Sequence, residues 1–142
     1  MSNITSPVEF FIELGRTQAI INRRFDCGLG GLGLNEFMIL YNLSIAEDER
    51  MRRVDLADRV GLTPSGITRL LAPMEKIGLV KREAHDGDAR VSYVALAAGG
   101  KRKLSEGMER AEVLAEDIFS DVGIKNPKEL TETLRRLGKL RF

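Results

Sequence analysis

The sequence has few of the side chains that form covalent cross-links or metal sites. It contains one cysteine, Cys27, one histidine, His85, and no tryptophan among 142 residues. A lone cysteine excludes a disulfide within the chain, and one cysteine with one histidine falls short of the ligands of a usual zinc site. The sequence also lacks a Ser/His/Asp set with a recognisable backbone motif, and we expect neither a cofactor nor an enzyme.

Long apolar runs and targeting signals are also missing. No apolar run approaches the length needed to cross a bilayer, and the first residues lack the basic stretch and apolar stretch of a secretion signal. We therefore expect a cytoplasmic protein that does not enter a membrane. Hydrophobic residues make up 43% and charged residues 30% of the chain, an ordinary balance for one compact domain of this length.

The charge is distributed unevenly along the chain, although the net charge is only +1. Residues 50–103 contain twelve Lys and Arg against six Asp and Glu, so this segment carries +6 while the remainder carries −5. A concentration of positive charge in one segment is an electrostatic feature of nucleic-acid binding, although exposed charge often only keeps a protein soluble.

The spacing of apolar residues predicts helices in the first third of the chain. Ser6 as cap, Pro7 as first helical residue and Glu9 as partner of the cap predict a helix from there to about residue 25. The glycine-rich segment 28–33 ends it. Asn35 is the expected cap of a second helix, which ends near Ser44.

The middle of the chain predicts two short helices and a hairpin. A polar connection over 47–53 leads to a third helix that Gly61 terminates, and Thr63-Pro64 starts a fourth helix that reaches Gly78. Segments 79–82 and 91–96 read as strands joined by a charged turn. Two further helices complete the chain: one follows Gly99-Gly100 and ends near residues 122–123, and one starts at 126–129 and runs to about 140.

The third and fourth helices and the hairpin have the order of a helix-turn-helix followed by a wing. The second helix of such a unit projects the side chains near its start into the major groove. Ser65, Thr68 and Arg69 lie off the apolar stripe of this helix, and Gly66 permits a close backbone approach. The alternative is an ordinary exposed polar face, which any surface helix has.

Four segments follow one another in a recognisable order and spacing: LADRVGLTPSGITRLL at 56–71, EKIGLVKR at 75–82, DAR at 88–90 and LAAGG at 96–100. Together they resemble the third and fourth helices, the wing and the following helix of the MarR (multiple antibiotic resistance regulator) family. The resemblance implies a mainly α fold with a small β-wing, as one domain over 1–142. Its DNA-binding lobe would lie at about 34–97 and its helical dimerisation region at about 6–26 and 98–142.

The resemblance also implies a function and a set of partners. Similar proteins are homodimeric repressors that bind pseudo-palindromic operator DNA, and a small anionic or aromatic effector releases them. In the wing, Asp88 is expected to hold Arg90 through a charge-assisted bond and to direct it toward the minor groove. Lys81, Arg82 and His85 are weaker candidates for DNA contacts, because basic residues of a hairpin usually face solvent.

Two positions depart from ideal helix chemistry. Ala97 stands where the family often has a threonine that caps the next helix, so the start of that helix is expected to be less well fixed. Pro73 lies inside the fourth helix, where it removes a backbone donor, and we expect a bend.

The two ends of the chain carry apolar stripes that a single small lobe cannot cover. The first helix contributes Phe10 and Leu14, and the last contributes Leu130, Leu134, Leu137 and Leu140. A twofold seam between two copies would cover both stripes. The alternative is that both ends pack internally against the middle of the chain.

The sequence contains features that allow three other functional interpretations. Gly28, Gly30 and Gly33 match the spacing of a dinucleotide-binding loop, but a helix rather than a strand is expected before them, so we reject this site. Cys27 could sense oxidants if a nearby cation lowered its pKa, although a lone cysteine is more often inert. A winged helix can also serve as a protein-interaction module, because the fold alone does not define function.

Overall fold

The computed structural model describes residues 3–85 and 87–139, and this part of the chain forms six α-helices and three strands. In chain order they are α1 (Ser6–Gly28), α2 (Leu34–Ser44), β1 (Arg50–Arg52), α3 (Arg53–Val60), α4 (Pro64–Lys76), β2 (Val80–His85), β3 (Asp88–Leu96), α5 (Ala98–Asp121) and α6 (Lys128–Gly138). The predicted fold class, mainly α with a small β-wing, is confirmed.

The hydrophobic core lies where α2, α3, α4 and the sheet meet the first half of α5. The side chains of Ile39 and Leu43 in α2, Leu56 in α3 and Ile67 in α4 are fully inaccessible to solvent. Burying aliphatic side chains of this size contributes roughly 1.5–3 kcal/mol each. The helix-turn-helix is therefore held on a rigid support formed by the sheet and α5.

The sheet has three strands in the order β1-β3-β2, all antiparallel. The sequence predicts a polar connection that includes residues 50–53, and this prediction is wrong for β1, in which Arg50 pairs with Ala95 and Arg52 with Tyr93. A strand of three residues is too short to show the alternation of apolar and polar residues by which strands are predicted. The predicted hairpin is correct, and its strands extend to His85 and from Asp88.

Two helices begin at residues other than those predicted. The residue that precedes α1 is Thr5 rather than Ser6, and its side chain makes no capping bond. Asn35 lies inside α2 rather than at its cap. Carboxylate groups, not an asparagine side chain, accept the free backbone N–H groups at the start of the helix. Glu36 accepts the N–H of Gly33 at 2.9 Å, and Asp26 accepts the N–H of Leu34 at 2.8 Å.

The start of α5 lacks a side-chain cap, as the alanine at position 97 implies. Backbone contacts with Leu79 fix the start of α5 instead. The N–H of Ala97 donates to the carbonyl oxygen of Leu79 at 3.1 Å, and Gly100 packs so closely that a Cβ atom there would collide with that same oxygen.

Gly100→Ala is therefore expected to destabilise the fold by about 1–3 kcal/mol, because the new methyl group must displace the backbone of Leu79, just before β2. Urea unfolding followed by circular dichroism measures this. Gly138→Ala is the matched control. A Cβ atom added there has no neighbouring atom within 4 Å, and Gly138 does not have the positive φ that disfavours alanine. Equal stability of the two variants would show that the contact at Gly100 relaxes without cost.

The outer helices contribute least to this core. Neither α1 nor α6 contains a buried residue, and the side chains of Phe10, Leu130 and Leu134 are 44%, 48% and 51% exposed. Leu14 and Leu137 are half-buried, and Leu140 lies outside the described residues. Within the described ranges, no helix is both long enough and apolar enough to cross a membrane.

Candidate nucleic-acid interface

The turn between α3 and α4 forms as the sequence predicts. Gly61 ends α3 with φ of 78°, in the left-handed region that glycine adopts without strain. Thr63 then caps α4, and its Oγ1 accepts the N–H of Gly66 at 3.1 Å. The turn thereby fixes the direction in which the N-terminal end of α4 leaves the lobe.

Helix α4 has one buried face and one exposed face. Ile67, Leu71 and Met74 are buried in the core, and the helix continues through Pro73 to Lys76. The predicted DNA contacts Ser65, Thr68 and Arg69 are all exposed, while Gly66 is half-buried against the Thr63 cap. The structure therefore places these candidates together near the start of one helix.

The hydroxyl group of Thr68 is bonded on two sides. Its Oγ1 donates to the carbonyl oxygen of Pro64 at 2.9 Å and accepts from Nη1 of Arg53 at 3.0 Å. Arg53 is the first residue of α3, so this contact joins the two helices of the helix-turn-helix. The sequence indicates Thr68 as a candidate contact but gives no signal that Arg53 is its partner.

The wing tip contains the acid–base pair that the family resemblance implies. Asp88 Oδ1 accepts from the backbone N–H of Arg90 at 2.9 Å and from its Nε at 3.1 Å, while Asp88 Oδ2 accepts from its Nη2 at 3.3 Å. The two charge-assisted bonds from the guanidinium orient it, and the bond from the backbone N–H holds the turn. The Arg90 side chain nevertheless remains 90% exposed, so it is available to a partner.

The other wing candidates lie along β2. Lys81 and Arg82 are exposed, and the ammonium of Lys81 lies 3.7 Å from a carboxylate oxygen of Glu83. His85 is the last residue of β2. These positions are separate from the start of α4, so the candidates form two groups, one on the helix and one on the wing.

The structure adds a third basic group that the sequence analysis missed, at β1 and the start of α3. Arg50 donates to Glu83 at 3.3 Å and lies 4.9 Å from the centre of the Tyr93 ring. The bond to Glu83 is the main cause that raises the pKa of Arg50, and a bidentate bond to Asp55 does the same for Arg52. The signal in the sequence was the presence of three arginines among residues 50–53.

The glycine-rich segment and Cys27 lie at the end of α1, apart from these groups. A helix precedes Gly28, as expected when the dinucleotide-binding site was rejected. Cys27 is exposed.

Comparison with known proteins identifies relatives of this chain. Residues 32–92 match the model of the MarR family. The HTH-type transcriptional repressor YetL of Bacillus subtilis (strain 168) is 33% identical over 101 residues, which cover 70% of this chain and 60% of YetL. The chain thus spans about three fifths of the length of that relative.

Two solved structures share the fold over nearly their whole length. The transcriptional regulator BldR from Sulfolobus solfataricus has a TM-score of 0.83 and 28% identity, over 96% of this chain and 97% of that one. AbsC, a MarR family transcriptional regulator from Streptomyces coelicolor, has a TM-score of 0.77 and 25% identity, over 96% and 93% of the two chains. The arrangement of helix-turn-helix, wing and flanking helices is therefore one that transcriptional regulators use.

Proposed function

Because this chain belongs to the MarR family of transcriptional regulators, we propose that it is a homodimeric repressor that binds pseudo-palindromic operator DNA. The description of YetL as a repressor supports the direction of regulation. The relatives compared above are regulators rather than enzymes, in line with the expectation that this chain has no catalytic activity.

The observation that carries the proposal is the pairing of an exposed polar helix start with a fixed cationic wing tip. Ser65, Thr68 and Arg69 would reach base edges in the major groove, because the start of α4 is the free end of a rigidly held helix. Arg90 would enter the neighbouring minor groove, where narrow A·T-rich segments attract guanidinium groups. Lys81 and Arg82 would contact phosphates.

The second part of the proposal is the homodimer. The exposed apolar side chains of α1 and α6 carry it, because monomeric proteins rarely leave such stripes uncovered. Two copies related by a twofold axis would place their α4 helices in successive major grooves about 34 Å apart.

The third part is release by a small effector with anionic or aromatic character. A cavity of about 470 Å³ lies between the end of α2 and α5, where the proposed DNA-binding lobe meets the dimerisation region. Leu96, Leu104 and Met108 give it an apolar lining that suits an aromatic ligand. The cation that lines it, Lys101, is bonded to Glu49 at 2.8 Å, and Glu109 and Glu112 add negative charge, so this cavity favours an aromatic effector over an anionic one. A thermal-shift screen of phenolic acids, repeated with bound operator, tests this part, because an effector that releases DNA must stabilise the free protein more than the complex.

The function itself is tested by selecting duplexes from a random pool with the full chain. We expect enrichment of pseudo-palindromes with half-sites one helical turn apart. A pool that stays random would contradict the proposal and favour the protein-interaction module.

Arg90→Ala is expected to weaken binding to operator and random duplexes by about ten-fold and to flatten the salt dependence by about two units of slope, because each of the two protomers loses one contact with the DNA backbone or minor groove. Asp88→Ala should weaken binding less, since the guanidinium remains but loses its fixed direction. Fluorescence anisotropy across a salt series measures both.

Lys139→Ala is a control for the Arg90 experiment, because it removes a positive charge just beyond α6, away from the wing. If Arg90→Ala binds as tightly as this control, the wing takes no part in binding.

A further inference from the structure

The hydrogen-bonding capacity of the Thr68 hydroxyl is largely used within the protein. A threonine hydroxyl has one hydrogen and two acceptor lone pairs. The hydrogen is directed at the carbonyl oxygen of Pro64, one lone pair accepts from Arg53, and both bonds are within 3.0 Å. Thr68 cannot donate to a base without breaking the first of these bonds.

The partner on the α3 side is partly enclosed by the protein. Arg53 is half-buried, and its Nε is inaccessible to solvent and has no hydrogen-bond partner within the described residues. Its Nη1 reaches across to α4, so the solvent-exposed bond to Thr68 joins two helices that pack against each other. Arg53 is in this sense a positioning residue for Thr68.

These two bonds leave the methyl group and one lone pair of the hydroxyl free, so the hydroxyl can only accept a hydrogen bond from a base. Thr68 is exposed and lies one turn from the start of α4, in the part of a recognition helix that reaches base edges. In the major groove, only thymine presents a methyl group, and apolar side-chain atoms contact it.

We infer that Thr68 is a specificity-determining residue that recognises the C5-methyl group of a thymine in each half-site through its own methyl group. The inference rests on the proposed function, because it requires that α4 enter the major groove. It assigns apolar recognition to a side chain that would ordinarily be expected to recognise bases through its hydroxyl group.

The test uses the duplex selected by the wild-type protein and replaces each thymine of the half-site in turn with deoxyuridine, which removes only the methyl group. One position per half-site is expected to weaken wild-type binding by about four-fold, the factor that one buried methyl-sized group contributes. Thr68→Val keeps the methyl group and should keep this sensitivity. Thr68→Ser keeps the hydroxyl and should bind the thymine and deoxyuridine duplexes equally.

The matched control is Thr131→Ser in α6, where the threonine hydroxyl also donates to a proline carbonyl four residues earlier, Pro127, at 3.1 Å. This variant should retain the full sensitivity to deoxyuridine.

Three results would overturn the inference while leaving the proposed function intact. They are a selected duplex without a sensitive thymine, a Thr68→Ser protein that still distinguishes the two duplexes, and a Thr68→Val protein that no longer does. A chain that selects no duplex at all overturns both.

Discussion

Replacing Ser65, Thr68 and Arg69 together with alanine is expected to abolish the preference for operator over random DNA. All three side chains are exposed at the start of α4 and lie off its buried face, so their loss should leave the fold and the proposed dimer intact. Each good base contact discriminates by about 1–3 kcal/mol, and two half-sites are affected. The specificity ratio, typically 10³ or more for such proteins, should fall close to one.

Competition binding with the selected and a random duplex measures this ratio, and circular dichroism confirms the fold. Lys76→Ala is the matched control, because it removes a positive charge from the opposite end of the same helix. If the triple variant still prefers operator, α4 does not read the sequence.

Leu134→Asp is expected to convert the protein into a monomer and to weaken operator binding by at least 100-fold. The side chain is 51% exposed on a helix that contains no buried residue, and a carboxylate in an apolar seam loses its water without gaining a partner. A monomer engages one half-site at a time and loses the avidity of a linked pair, which amounts to 10²–10⁴. Sedimentation velocity at micromolar concentration and anisotropy on the selected duplex measure the two effects.

Arg136→Asp provides the control for this experiment, because it places the same carboxylate on the opposite side of α6. It should remain dimeric. A wild-type protein that sediments as a monomer, or a Leu134→Asp protein that remains a dimer, would mean that the ends of the chain do not form the seam.

The sequence predicts the helix-turn-helix well because its determinants are local. Gly61 and Thr63 act through their own backbone and the next few residues, so the turn is visible in the sequence. The wing pair is expected from the family resemblance rather than from local sequence rules, and its members Asp88 and Arg90 are two residues apart.

The features that the sequence does not predict depend on distant partners. Strand β1 exists because β3 pairs with it more than forty residues later in the chain, and α2 begins at Leu34 because Asp26 of another helix accepts its N–H. The bond between Arg53 and Thr68 is likewise a contact between two helices. The division into a DNA-binding lobe and a dimerisation region remains a prediction.

The central claim is that this chain binds DNA in a sequence-specific way, and the most direct test is a salt titration of the wild-type protein on the selected and a random duplex. We expect tighter binding to the selected duplex at every salt concentration and a linear fall of log K with log salt, with a slope of about −0.9 for each phosphate contacted. Equal affinity for both duplexes, or binding that does not change with salt, would contradict the account.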